Sequence, residues 1–105
     1  MSRREKNEFK EDVELKTRAR RKTPDMYKVI IHNDDYTTMD FVVEILIRFF
    51  HKPAAEATQI MLQVHRRGHG VAGVFTYDIA VTKVNEVHEA ARQAEFPLKC
   101  SVEKA

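Results

Sequence analysis

The sequence predicts a small α+β domain with the element order β-α-α-β-α-β. A small three-stranded, mainly antiparallel sheet packs against three helices, behind a flexible N-terminal arm. Three observations carry this. Three short runs are rich in β-branched or alternating apolar residues, three longer runs repeat apolar residues at three- and four-residue spacing, and the two kinds mix without regular βαβ repetition. At 105 residues the chain has room for one domain and a modest core.

Residues 1–25 are mostly charged, with Phe9, Val13 and Leu15 the only large apolar side chains after Met1. Such a stretch cannot bury enough surface to offset its ordering entropy, so an arm over 1–25 and a core domain over 26–105 are expected. "MYKVIIH" from Met26 reads as the first strand, and Asn33-Asp34-Asp35 ends it with turn-favouring side chains. Thr37 or Thr38 can cap the next helix, and Asp40 lies three residues after Thr37, as in a capping box. Val42, Ile45, Leu46, Phe49 and Phe50 follow at helical spacing until His51-Lys52-Pro53 breaks the run. A second helix fits 54–67, with Ala57, Ile60, Met61, Val64 and His65 in register and Gly68 at its end. "GVAGVFT" reads as a strand. Residues 78–95 read as a third helix, with Ala80, Val84, Val87, His88 and Ala91 on one face and Pro97 as its stop. "LKCSVE" alternates as a last strand.

Bulk properties exclude little. The formal charge of +2 is nearly balanced, whereas nucleic-acid binders concentrate basic charge on one face. Cys100 is the only cysteine, so no intrachain disulfide and no thiolate zinc cluster can form, in keeping with a reducing cytoplasm. The N-terminus has no apolar leader region, and the most apolar stretch, 41–50, is far shorter than the roughly 20 residues a membrane span needs. A soluble cytoplasmic protein is expected, a monomer without membrane or nucleic-acid partner.

Three chemistries compete for the polar residues. Asp34, His65 and His69 can be assembled into a small metal-dependent hydrolase. The zincin glutamate is missing, however, and Gly68 falls between the two histidines, so no metal and no cofactor are expected. No nucleophile elbow or phosphate loop accompanies them, and no catalytic residue is assigned. The basic run Arg18-Ala19-Arg20-Arg21-Lys22 can touch nucleic acid, although charge blocks usually serve as solvated tethers. The third chemistry is recognition. Acceptors at a strand end beside an apolar, methionine-containing pocket suit a ligand with one cation and one hydrophobic group, such as the N-terminal residue of a peptide. Its α-amine, with a pKa near about 8, is mostly protonated and donates only. The pattern alone favours a plainer account, in which Met61 and Val64 are core, His65 is a boundary histidine and Asn33-Asp34-Asp35 is a turn with helix-terminal charge.

Four segments, "MYKVIIHNDDYTTMDFV", "ATQIMLQVHRRG", "GVFT" and "PLKCSVEKA", together resemble ClpS, the adaptor family that delivers N-degron substrates to the Clp protease. The likeness spans about residues 24–105. It implies a binding protein rather than an enzyme. Asn33 and Asp34, with Asp35 beside them, would hold the ligand's α-amine, and His65 would complete the acceptor set. Met39 would line and gate the side-chain pocket, with Thr37, Val42, Met61, Val64 and Leu98 at other pocket positions. The implied ligands are proteins with N-terminal Leu, Phe, Tyr or Trp. The implied partner is the N-terminal domain of a ClpA-like AAA+ unfoldase, docked around Asp78 and Lys83, with the arm needed for delivery. Two residues depart from the family pattern: Thr38 stands where proline is common, and His32 where an apolar or small residue is usual.

Overall fold

The structure, a computed structural model, describes residues 24–105. The expected arm lies outside these residues except for Pro24 and Asp25, and so does the basic run 18–22. The element order is as expected: β1 (Met26–His32), α1 (Met39–Phe50), α2 (Ala54–Arg67), β2 (His69–Thr76), α3 (Tyr77–Gln93) and β3 (Lys99–Lys104). The sheet runs β2-β1-β3 and both pairings are antiparallel.

β1 is central, so both of its edges are paired and its middle is buried. Val29 and Ile31 are fully buried and share one core with Ile45 and Leu46 of α1, Ala57 and Val64 of α2, and Ala80, Val87 and Ala91 of α3. Ile30 belongs to the opposite face, where it pairs with Val71 and Ser101. On β2 the register shifts between the partners of Val29 and Ile30. Ala72 is the extra residue of this bulge, and it points into the core. Gly70 and Gly73 occupy the helix-facing positions opposite Ile31 and Val29. A Cβ on Gly70 would stand 2.8 Å from Val64 Cγ2, so glycine is what lets α2 lie close against β2.

The helix ends follow local chemistry. Thr38 is the N-cap of α1, and its hydroxyl accepts from the Phe41 N–H at 3.1 Å. Thr37 is not the cap. Its hydroxyl turns back to Asp34, so the expected capping box with Asp40 does not form, and Asp40 simply adds negative charge to the first turn. His51, left-handed at φ 54°, ends α1 before Pro53. Gly68, at φ 91°, ends α2 as expected, with its N–H donating to Val64 O. α3 stops two residues before the expected Glu95. Glu95 takes φ 63°, its N–H donates to Arg92 O, and the Phe96 N–H donates to Ala91 O. This is a Schellman ending with a glutamate in the position usually held by glycine. Lys83 of α3 reaches across to α1, where its ammonium donates to Phe49 O at 2.8 Å. That pairing satisfies a last-turn carbonyl and places a cation at a helix C-terminus.

Candidate functional site

A cleft of about 410 Å³ opens where β1, the start of α1 and the end of α2 meet. Its lining contains Asn33, Asp34, Asp35, Thr37, Met39, Val42, Met61, Val64 and His65. Nine of the ten residues expected to bind a ligand are therefore brought together from two segments that are remote in the chain. Tyr36 and Thr38 also line the cleft. Neither was assigned to the site from sequence, although both sit inside the motif that carries it.

The apolar wall comes from helical spacing. Val42 and Val64 are 6% and 2% exposed and form its buried part, Met61 is half-buried, and Met39 stands at the rim with 43% of its surface open. Leu98 is placed differently. It is 4% exposed, in the same core as Val42 and Val64, and it lines a separate cavity beside α3 with His88, Phe96 and Cys100. It supports the cleft through the core without lining it.

The polar wall is built by the Asn33–Thr37 loop. The Asn33 N–H donates to Gly68 O at 2.9 Å, which ties the end of β1 to the end of α2 and holds His65, one turn earlier, in the same wall. The two adjacent aspartates have different tasks. Asp34 Oδ1 accepts from the N–H groups of Tyr36 (2.8 Å) and Thr37 (2.6 Å), and its Oδ2 accepts from the Thr37 hydroxyl (2.7 Å). A carboxylate offers about four acceptor sites, so about one remains. Partial burial raises the Asp34 pKa, but the Thr37 side-chain bond and the two backbone bonds outweigh it and hold the carboxyl below its ordinary value. Asp35 is exposed and makes no hydrogen bond or ion pair among the described residues. It lines the cleft, and among the described residues nothing competes for its acceptor sites.

The remaining polar residues separate the competing chemistries. His65 lies in α2's last turn, while His69 starts β2 and faces the outer side of the sheet opposite His32. Among the described residues no group of three or more His, Cys, Asp or Glu side chains is arranged to hold a metal ion. His32 Nε2 lies 2.6 Å from Ser101 Oγ, also on the outer side. Cys100 is buried, and burial pushes its thiol up to about 12, which keeps it protonated and unreactive. No described helix is long and apolar enough to cross a membrane.

Asp78 and Lys83 lie on α3, away from the cleft. Asp78 is exposed in the first turn, between the exposed side chains of Tyr77 and Ile79. Lys83 is half-buried and engaged with Phe49 O.

The family model for "ATP-dependent Clp protease adaptor protein ClpS" matches residues 22–101. The chain belongs to the ClpS family. Among its ClpS relatives, the adapter protein of Syntrophus aciditrophicus is 57% identical over 96 residues, covering 91% of this chain and 90% of the relative. The ClpS of Rhodospirillum centenum is 58% identical over 92 residues, covering 88% and 85%. A solved structure of Agrobacterium tumefaciens ClpS2 bound to L-phenylalaninamide superimposes with a TM-score of 0.75 at 36% identity, covering 78% of this chain and 99% of that one. This ClpS-family chain is thus an adaptor of the Clp protease system.

Proposed function

We propose that this adaptor captures proteins by a free N-terminal residue with a bulky hydrophobic side chain, Leu, Phe, Tyr or Trp, and hands them to a ClpA-like AAA+ unfoldase. The observation that carries this reading is the make-up of the cleft. One wall holds acceptors, of which the Asn33, Asp35 and His65 side chains have no donor partner among the described residues, and the other is apolar and contains two methionines. An ammonium group bonded to one end of a hydrophobic side chain is the ligand that satisfies both. L-phenylalaninamide, to which the Agrobacterium relative is bound, has this form: a free α-amine, an aromatic side chain and an amide in place of the continuing chain. No reaction is involved, and recognition is the whole of the chemistry.

In this reading the α-amine donates to Asn33, Asp35 and His65. Asp34 acts mainly by shaping the loop, with one acceptor site left for the ligand. Removing the ammonium leaves acceptors unpaired, at about 1–3 kcal/mol each. The side chain enters between Met39, Val42, Met61 and Val64, which is worth about 1.5–3 kcal/mol for a Leu or Phe. A volume of about 410 Å³ falls within the range of roughly 300–1,000 Å³ typical of small-ligand sites. Met39 and Met61 are unbranched and polarisable, so one pocket accepts aliphatic and aromatic groups. Docking on the unfoldase uses Asp78 with the exposed Tyr77 and Ile79, and Lys83 braces that face through α1.

The test is fluorescence anisotropy with a labelled peptide beginning with Phe, compared with the same peptide N-acetylated. Binding of the free amine at micromolar concentration, lost on acetylation, supports amine capture. Equal binding of the two peptides refutes it.

A further inference from the structure

We infer that Thr38 is a positioning residue for ligand recognition. It holds the first turn of α1, and with it Met39, as a firm wall at the mouth of the cleft, and so sets how strictly the pocket rejects a first residue branched at Cβ. The inference rests on the amine-capture reading of the cleft and deepens it.

Thr37 and Thr38 are adjacent, line the same cleft and bond in opposite directions. The Thr37 N–H and hydroxyl donate to Asp34 at 2.6 and 2.7 Å, on the side of the acceptor loop. The Thr38 hydroxyl accepts from the Phe41 N–H at 3.1 Å, and the Thr38 carbonyl accepts from the Val42 N–H at 3.2 Å, on the side of the helix. The two threonines therefore join the polar wall to the apolar wall. On the helix side, the hydroxyl answers one of the N–H groups that a first turn leaves without a partner.

Met39, Phe41 and Val42 all belong to this turn, but they are held unequally. Val42 is buried in the core, and the Phe41 ring packs on Phe96 with 4.9 Å between centroids. Met39 is the first residue of α1 and leaves 43% of its surface open. Little packing fixes it, so its position follows its backbone, and the bonds of Thr38 hold that backbone. A ligand whose amine sits on the Asn33–Thr37 loop has its Cβ next to the amine, at the mouth where Met39 stands. The second branch of an Ile or Val side chain meets the wall there, and a stiff χ1 cannot turn it away. Admitting it requires the first turn to yield, and the Thr38 cap adds to the cost of yielding. Leu branches one carbon further out and makes no such demand.

The experiment measures, by anisotropy, peptides identical except for an N-terminal Leu or Ile, each with a free and an acetylated amine. The proteins are the full chain, Thr38→Val and Thr38→Ser. Valine keeps the shape and the β-branch without the hydroxyl, and serine keeps the hydroxyl. A cap of ordinary strength predicts that Thr38→Val lowers the Leu-to-Ile affinity ratio by about two- to tenfold, mainly through tighter binding of the Ile peptide. Thr38→Ser should keep the wild-type ratio. A merely structural loss cannot produce this result, because a smaller competent fraction weakens both peptides by the same factor. A ratio unchanged in Thr38→Val, or lowered equally in Thr38→Ser, overturns the role of Thr38 while the dependence on a free amine stands. A wild type that binds Leu and Ile equally overturns it too. If free and acetylated Leu peptides bind equally, the amine reading fails, and this inference fails with it.

Discussion

Two adjacent aspartates with opposite consequences offer the sharpest test of how this loop works. Asp34→Ala removes three hydrogen bonds at once, from the Tyr36 and Thr37 N–H groups and the Thr37 hydroxyl. Hydrogen bonds to a charged acceptor are worth about 1.5–3 kcal/mol each. The loop is at the surface, though, and water resolvates the freed donors, so the better guide is the loss of a capping side chain, about 0.5–2 kcal/mol. For a domain of this size about 1 kcal/mol corresponds to about 4–8 °C in Tm, so Asp34→Ala should melt roughly 2–16 °C lower. Asp35→Ala removes a side chain with no partner among the described residues, and such surface changes stay within about 0.5 kcal/mol. Its Tm should therefore move by no more than about 4 °C. Its affinity for an N-terminal Phe peptide should fall by about five- to thirtyfold, as expected for about 1–2 kcal/mol at a half-solvated ammonium. Thermal melts followed by circular dichroism, with anisotropy on the same samples, read both quantities. A large loss of Tm in Asp35→Ala, or an unchanged Tm in Asp34→Ala, would refute the division of labour.

Further outcomes follow from the same geometry. Because the folded Asp34 carboxyl lies below its ordinary 3.8, the unfolded chain takes up that proton first. The stabilisation is therefore complete above about pH 4 and is lost as pH falls through the folded value; Asp34→Asn should flatten that part of an acid-unfolding curve. Gly70→Ala places a methyl against Val64 Cγ2 and should cost about 1–3 kcal/mol in denaturant melts. It should also weaken Phe-peptide binding, because Val64 lines the cleft. Peptides beginning with Ile or Val should bind much more weakly than Leu peptides, because a β-branched residue is stiff at χ1 and wide beside its backbone; equal Leu and Ile affinities would contradict the pocket described here. His65 lines the cleft, so His65→Ala should weaken binding of the free-amine Phe peptide by the loss of one acceptor, while leaving the weak response to the acetylated peptide unchanged.

The order and kind of all six elements were legible in the sequence, because each has a clean apolar period and four of the boundaries carry a strong local signal. Gly68 and the His51-Lys52-Pro53 break are examples. The end of α3 was not legible. Glu95 is a good helix former in composition, and only the Schellman bonds of Glu95 and Phe96 show that it has already left the helix. The lining of the cleft was legible as a set of residues because the NDDYT and MLQVH segments mark it by resemblance. Its internal division was not. Asp34 and Asp35 are the same residue type side by side, and only the backbone path decides which one turns back to cap the loop and which one faces out. Leu98 shows the converse limit: a residue can belong to the site's supporting core while lining a different cavity. The His32–Ser101 contact joins residues 69 positions apart, a pairing that only the β1–β3 register reveals.

The most direct measurement of the central claim is a residue-resolved NMR titration of the chain with L-phenylalaninamide, with N-acetyl-L-phenylalaninamide as the control. The account predicts amide shift changes concentrated at Asn33–Met39 and Met61–His65 for the free amine, and far smaller changes for the acetylated control. Changes centred instead on the cavity around Leu98 and Cys100, or equal responses to both compounds, would contradict it.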